Sequence, residues 1–310
     1  MSYALRLTLL ASAVFFLNYV SLSLCVAAAW RLVRKRAAWN AGMLYVLRIA
    51  PVGVAIGVVG VLVIPSFLYL EPFGTGESFG LPALTLAFGG IAVVAAGIAS
   101  MLFASWRTAR FVAACQKIGH IEVTGSRMLA IEIAAATPIL VIAGAYEPRL
   151  LISEELRRIL EVGEMQAAIQ HELAHITRRD NLKKLVLRAI RFPFLSGVER
   201  DWVQAAEIAA DEAAVSNEST ALDLASALIK VASQSHTALL PDIAMSLVPY
   251  EESALRLRVE RLLAWTPTKR KSGSRPYFLI ALALSCLFLL ALSHGPLLQH
   301  AHELTELFVR

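Results

Sequence analysis

Charge is scarce in this chain. Of 310 residues only 17% are Asp, Glu, Lys or Arg, whereas 57% are hydrophobic, and the mean hydropathy is +0.62. A soluble globular domain carries roughly a quarter charged residues, so that class is excluded. Cysteine is sparse as well: Cys25, Cys115 and Cys286 are scattered and form no CxxC pair. This excludes a disulfide framework and a thiolate metal site, and leaves the three as small buried hydrophobes. Internal repeats and low-complexity linkers are absent. A basic cluster is also missing ahead of the first apolar run, where only Arg6 stands. That run is too long for the core of a signal peptide, and it reads as a retained span.

What is present instead is long uncharged sequence. Leu7–Trp30, Ile49–Leu70, Ser78–Trp106 and Pro276–His294 contain no charged side chain, and each can cross a hydrocarbon core, which takes roughly 20 helical residues. Four transmembrane helices are therefore expected, at about 7–30, 49–70, 78–106 and 276–294. Basic residues near span ends are retained on the cytoplasmic side. Arg31, Arg34, Lys35 and Arg36 follow the first span, Arg107 and Arg110 follow the third, and Lys269, Arg270, Lys271 and Arg275 precede the fourth. The loop "EPFGTGESFG" has two glutamates and no basic residue. All basic clusters share one side if both termini are extracytoplasmic in a multi-pass inner-membrane protein. Residues 107–275 then form a cytoplasmic domain, and 295–310 a short extracytoplasmic tail. The basic approach "TPTKRKSGSRP" is expected to touch anionic lipid headgroups.

The domain opens with strand signals. "HIEVTGS", "LAIEIAA", "PILVIAGA" and "PRLLIS" are short runs rich in Ile, Leu and Val, separated by Gly, Ser and Pro. From Ser153 the pattern turns helical, with Ser153 as N-cap and Glu154 and Glu155 in the first turn. Gly163 is expected to separate this helix from the next, "MQAAIQHELAHIT". Further helices are predicted from about Val198 to Ser216 and from Ala221 to Ser233, which makes an α+β lobe. Arg178 and Arg179 suit a helix C-terminus, and Asp180 suits the cap of a following helix. "LKKLVLRAIRFPF" reads as an amphipathic face at the membrane surface. His236 reads as an exposed helix-end residue.

His171 and His175 stand four residues apart, on one helix face about a turn from each other. Two imidazoles so placed can reach one metal ion, with Glu172 flanking it as a base; this is the H-E-x-x-H arrangement. A catalytic zinc ion needs a third protein ligand and an open position for water. On the helix "VQAAEIAADEAAV", Glu207 and Asp211 also share a face. Glu207 can be that third ligand, since a lone carboxylate among Ala, Ile and Val needs a cationic partner to be buried. Asp211 can take the free ring N–H of a histidine ligand and fix its tautomer.

"HELAHITRRDNL", followed by Pro193 and "EIAADEAAV", together with "PRLLIS" before and "ALRLRVERLLA" after, resembles the BlaR/MecR antirepressor family, metallopeptidase family fifty-six. The resemblance implies a zincin-like (gluzincin) lobe holding one Zn2+ ion through His171, His175 and Glu207, with Glu172 as the catalytic base and Asp211 behind the ligands. It implies a membrane-embedded endopeptidase acting in signal transduction on a cytoplasmic or membrane-proximal protein, a transcriptional repressor being the family's target. Two departures stand out: Ala210 occupies a position where many relatives have cysteine, and no residues follow the last span to form a penicillin-binding sensor. An antibiotic sensor is accordingly not expected. The partners expected are a protein or peptide substrate and the bilayer, with no direct nucleic-acid binding and the oligomeric state left open. An extended substrate could add to a sheet edge, and "ILVIAGA" is the candidate edge. Competing readings are a signalling transducer with a structural zinc site and a quality-control protease of the HtpX or CAAX-protease kind.

Overall fold

The structure, a computed structural model, describes residues 2–34, 39–71, 79–122, 129–190, 193–234, 244–246, 252–267, 299–300 and 303–304. The expected fourth span, almost all of the tail, the basic cluster 269–275 and His236 lie outside these. The chain divides into two compact units, Met1–Lys35 with Leu47–Ala96 and Thr268–Arg310, and Arg36–Val46 with Gly97–Pro267.

Three helical segments are long and apolar enough to cross a membrane: Tyr3–Val33, Ala41–Leu70 and Leu81–Ala114. They are α1 (Tyr3–Val33), α2 (Ala41–Val58) with α3 (Ile64–Leu70), and α4 (Leu81–Ala114). Each overruns its uncharged stretch, because Arg31, Arg48, Arg107 and Arg110 favour helix as readily as the apolar residues beside them. Between α2 and α3 a π-helical turn, Val59–Val63, precedes Pro65. Proline has no N–H to give to the regular ladder, and a widened turn absorbs the mismatch. In the first unit Leu9, Leu10, Ala13 and Val14 of α1 pack with Val63, Phe67, Ala83 and Ala87. Gly90 makes that closeness possible, since a Cβ there would lie 2.3 Å from the Ser12 carbonyl oxygen. Small residues serve the same end wherever helices meet in lipid.

The second unit carries a five-stranded sheet in the order β1-β2-β4-β3-β5. The strands are β1 (Lys117–Glu122), β2 (Leu129–Ile133), β3 (Leu140–Ala143), β4 (Arg149–Ser153) and β5 (Ala244–Ser246). The β2–β4 pair is parallel, and the other three pairs are antiparallel. β3 and β4 are buried along nearly their whole length, which is why "LVIA" and "LLI" read as continuous apolar runs. One expectation is corrected here. The strand within "ILVIAGA" is not an edge, because β5 pairs with it through Val141↔Ser246, Ile142↔Met245 and Ala143↔Ala244. The three-residue partner lies about a hundred residues further along the chain, beyond reach of local sequence signals.

Helices α5 (Glu154–Ile159), α6 (Val162–Thr177), α7 (Asp180–Ala189), α8 (Ser196–Ala214), α9 (Glu218–Gln234) and α10 (Glu252–Leu263) complete the unit. Ser153 caps α5 through its Oγ, which accepts from the Leu156 N–H at 3.2 Å. Gly163 does not divide α5 from α6 as expected; it lies in the first turn of α6, and the break falls at Leu160–Glu161. Glu161 and Glu164 form the capping box that starts α6. Leu150 and Ile152 of the sheet pack with Leu156, Ala167, Ala168, Leu224, Ala227 and Leu228 in one core. At roughly 25 cal/mol per Å² of buried apolar surface, this contact fixes α6 across the sheet.

Candidate metal centre

α6 runs with its small side chains, Ala167, Ala168 and Ala174, buried together with His171, Glu172 and His175. Alanine permits the close approach of α8, whose own inward face is Ala206, Glu207, Ala210 and Asp211. Small residues on both helices therefore bring the polar groups within reach. His171 Nε2 lies 3.2 Å from His175 Nε2 and 3.4 Å from Glu207 Oε2, and His175 Nε2 lies 3.6 Å from Glu207 Oε1. All three residues are buried, and their ligand atoms converge as a group that could hold a metal ion. Tetrahedral donors at ~2.0–2.1 Å from a zinc ion stand about 3.3 Å apart. The separations here, with one oxygen of Glu207 near each ring, are close to that spacing.

The outer nitrogens of the two rings are each held by a carboxylate. His171 Nδ1 lies 2.9 Å from Asp211 Oδ1, and His175 Nδ1 lies 2.9 Å from Asp180 Oδ2. Each contact draws a proton to Nδ1, leaving the Nε2 lone pair to face inward. Asp180, expected as a helix cap, is the residue after the cap, which falls on Arg179. Asp180 does open α7, but its carboxylate also takes His175, Arg178 Nε at 3.2 Å and Lys183 Nζ at 2.9 Å. The turn that allows this is tight: Arg179 adopts the left-handed conformation with φ 54°, at roughly 1–2 kcal/mol for a residue with a Cβ. Next to it, Asn181 Nδ2 donates to the Ile142 and Gly144 carbonyls, fastening this junction to the end of β3. Gly144, at φ 100°, is where that strand turns away.

A second residue outside the expected set is Arg258 on α10. Its Nε and Nη2 donate to the two carboxylate oxygens of Asp211 at 2.7 and 2.6 Å, and Nη1 lies 3.0 Å from Glu207 Oε2. "ALRLRVERLLA" contains it, but nothing local marks which arginine turns inward. Asp180 was similarly hidden: its distance of five residues from His175 follows no helical face, and only the left-handed turn brings it back.

Electrostatics make the site a receptor for positive charge. Burial would lower His171, yet hydrogen bonds to Asp211 and Glu207 raise it to about 9. Burial pushes Glu172 up to about 8, with the Glu207 charge adding to the rise and His171 opposing it. Burial lowers His175, and the Asp180 hydrogen bond offsets this in part. Glu207 is held below the usual range by Arg258 against its burial, and Asp211 likewise falls to about 2. Once Glu172 and His171 have both given up their protons, Glu172, Glu207 and Asp211 set three carboxylates against one guanidinium, a surplus of two negative charges. A divalent cation is its complement. Neither carboxylate oxygen of Glu172 has a side-chain hydrogen-bond partner among the described residues, and the Ile142 backbone is the least of the groups that favour its charge, although the side chain is fully buried. Such orphaned groups are costly unless a ligand or water meets them. A cavity of about 280 Å³ opens beside the site, lined by Ile142, Gly144, Tyr146, His175, Ile176 and Leu182 among others.

The structure thus brings together His171, His175 and Glu207, with Glu172 and Asp211 beside them. Comparison with known proteins places the family. The family described as BlaR1 peptidase M56 matches residues 79–262, a stretch that includes every residue of the centre. No curated protein matches the chain. The match extends over more than half the sequence, and the chain belongs to the BlaR1 peptidase M56 family.

Proposed function

We propose that this member of the peptidase family is a zinc-dependent endopeptidase anchored in the inner membrane. His171, His175 and Glu207 hold the metal, and Asp211 and Asp180 fix the two imidazoles. When bound, a zinc ion supplies Lewis-acid polarisation of the scissile carbonyl and acidifies a water molecule. Glu172 takes the water proton on its carboxylate and passes it to the departing amine. Its buried position suits both halves of that cycle: desolvation raises its basicity, and the cation's charge restores the anion. No covalent intermediate forms on the chain.

The observation that carries this reading is Glu172 itself. Glu172 is fully buried, its oxygens make no side-chain hydrogen bond among the described residues, and a purely structural metal site has no need of a carboxylate beside its three donors. Basic residues at span ends support a cytoplasmic lobe with extracytoplasmic termini, so the substrate is a cytoplasmic or membrane-proximal protein. The likeness to antirepressor proteases makes a transcriptional repressor the first candidate.

The test compares full-length wild-type protein with Glu172→Gln by proteomics of newly formed N-termini in cells, alongside zinc content of the purified proteins. The variant is expected to retain zinc and to lose cleavage by about 10²–10⁴-fold, the usual contribution of a general base. Equal cleavage with zinc retained would disprove the mechanism.

A further inference from the structure

We infer that Arg258 is a positioning residue of the metal centre, one guanidinium that locks Glu207 and Asp211 in register and so sets how tightly the three-donor triangle takes a divalent cation. This rests on the metal reading given above, and extends it to α10. The fork of Arg258 spans two carboxylates one helical turn apart on α8: Nε and Nη2 donate to both oxygens of Asp211, and Nη1 forms an ion pair with Oε2 of Glu207 at 3.0 Å. The side chain is 1% exposed, so its positive charge is stripped of water and draws its stability from the acids around it, Asp211 and Glu207 first. Glu207 Oε2 lies between Arg258 and His171, while Oε1 faces His175. The guanidinium therefore fixes the rotamer that the third donor needs before any cation arrives. Lysine would not reproduce this, because an ammonium is a point charge without the planar fork.

Charge and position predict opposite signs. If Arg258 acted only as a neighbouring positive charge, its removal would relieve repulsion and tighten zinc binding. If it positions Glu207, its removal loosens zinc binding despite that relief. The experiment is zinc titration of the full-length protein in detergent against a chromogenic chelator, for wild type, Arg258→Gln and Arg258→Lys. Thermal unfolding in EDTA reports whether each variant is folded without metal. Arg258→Gln is expected to bind zinc about 10–100-fold more weakly, the usual effect of losing a group behind the ligands. Arg258→Lys is expected to fall between it and wild type. Wild-type or tighter affinity in a folded Arg258→Gln would overturn the inference. Should that variant not fold, Arg258→Lys decides: weakened binding supports positioning, and wild-type binding refutes it. Wild-type protein that takes up no zinc would refute it too. Failure of the peptidase reading looks different, because it would show as intact zinc binding without Glu172-dependent cleavage.

Discussion

The helices α1 to α4 and the lobe built on the sheet invert each other's pattern. On the helices, large apolar side chains such as Leu24, Ile56, Phe88 and Leu102 are exposed. In the lobe, His171, Glu172, His175, Asp180 and Arg258 are buried. Lipid tails are as apolar as leucine, so burial supplies little drive between membrane helices, and close packing does the work. The lobe uses apolar burial to hold its sheet against α6 and α9, and then places its most polar residues inside. Buried charge of that density is stable only when each group is paired. Here the pairing is reciprocal: Asp211 with His171 and Arg258, and Asp180 with His175, Arg178 and Lys183. What remains unpaired is the capacity for a dication.

The strongest way to break the comparison is to remove one buried charge while keeping its shape. Asp180→Asn does so behind His175. The amide cannot serve as a negative partner for the imidazole, so ring orientation and ligand basicity both suffer. Zinc affinity measured by chelator competition is expected to fall about 10–100-fold. An unchanged affinity would reduce Asp180 to the helix-opening role its position alone suggests.

Next in size is the dependence on pH. His171 sits at about 9 through its carboxylate partners, so the proton it carries must leave before Nε2 can bind a metal ion. Zinc affinity should therefore rise with pH between about 7 and 9, by on the order of tenfold per pH unit for each proton released. The sign for folding without metal is the reverse. A group whose folded pKa exceeds its unfolded value of 6.5 stabilises the fold fully below 6.5, and loses that stabilisation as pH rises toward about 9. Titrations at pH 6.5, 7.5 and 8.5, with unfolding measured in EDTA, separate the two trends. A flat affinity profile would mean that His171 gives up no proton on binding.

These expectations mark what could be read from sequence and what could not. His171 and His175, and Glu207 and Asp211, follow one-turn spacing on single helices, and helical geometry carries that information. The apolar runs of α1, α2 and α4 are equally plain, although their ends are not, since basic residues continue the helices past the uncharged stretches. Contacts made by the backbone were not legible. The left-handed Arg179 that returns Asp180 to His175, the seating of β5 on β3, and the choice of Arg258 among several arginines depend on tertiary placement. Gly163 misled for a related reason: in isolation glycine signals a break, but here it allows α6 to approach Asp223, where a Cβ would lie 2.8 Å from the carboxylate.

The smallest expected effect lies on the helices. Ile56 is 59% exposed on α2, and in a bilayer that side chain meets hydrocarbon. Ile56→Ala removes methyl groups that touch lipid, and alanine is the better helix former. In a packed interior the same deletion would cost about 2–5 kcal/mol through transfer and cavity terms. Here lipid closes the gap, so unfolding of the protein in nanodiscs is expected to shift by no more than about 0.5 kcal/mol, with zinc affinity unaltered. A loss of several kcal/mol would place Ile56 against a protein partner, such as a second copy or a further helix, and the inversion between helices and lobe would then end at that face.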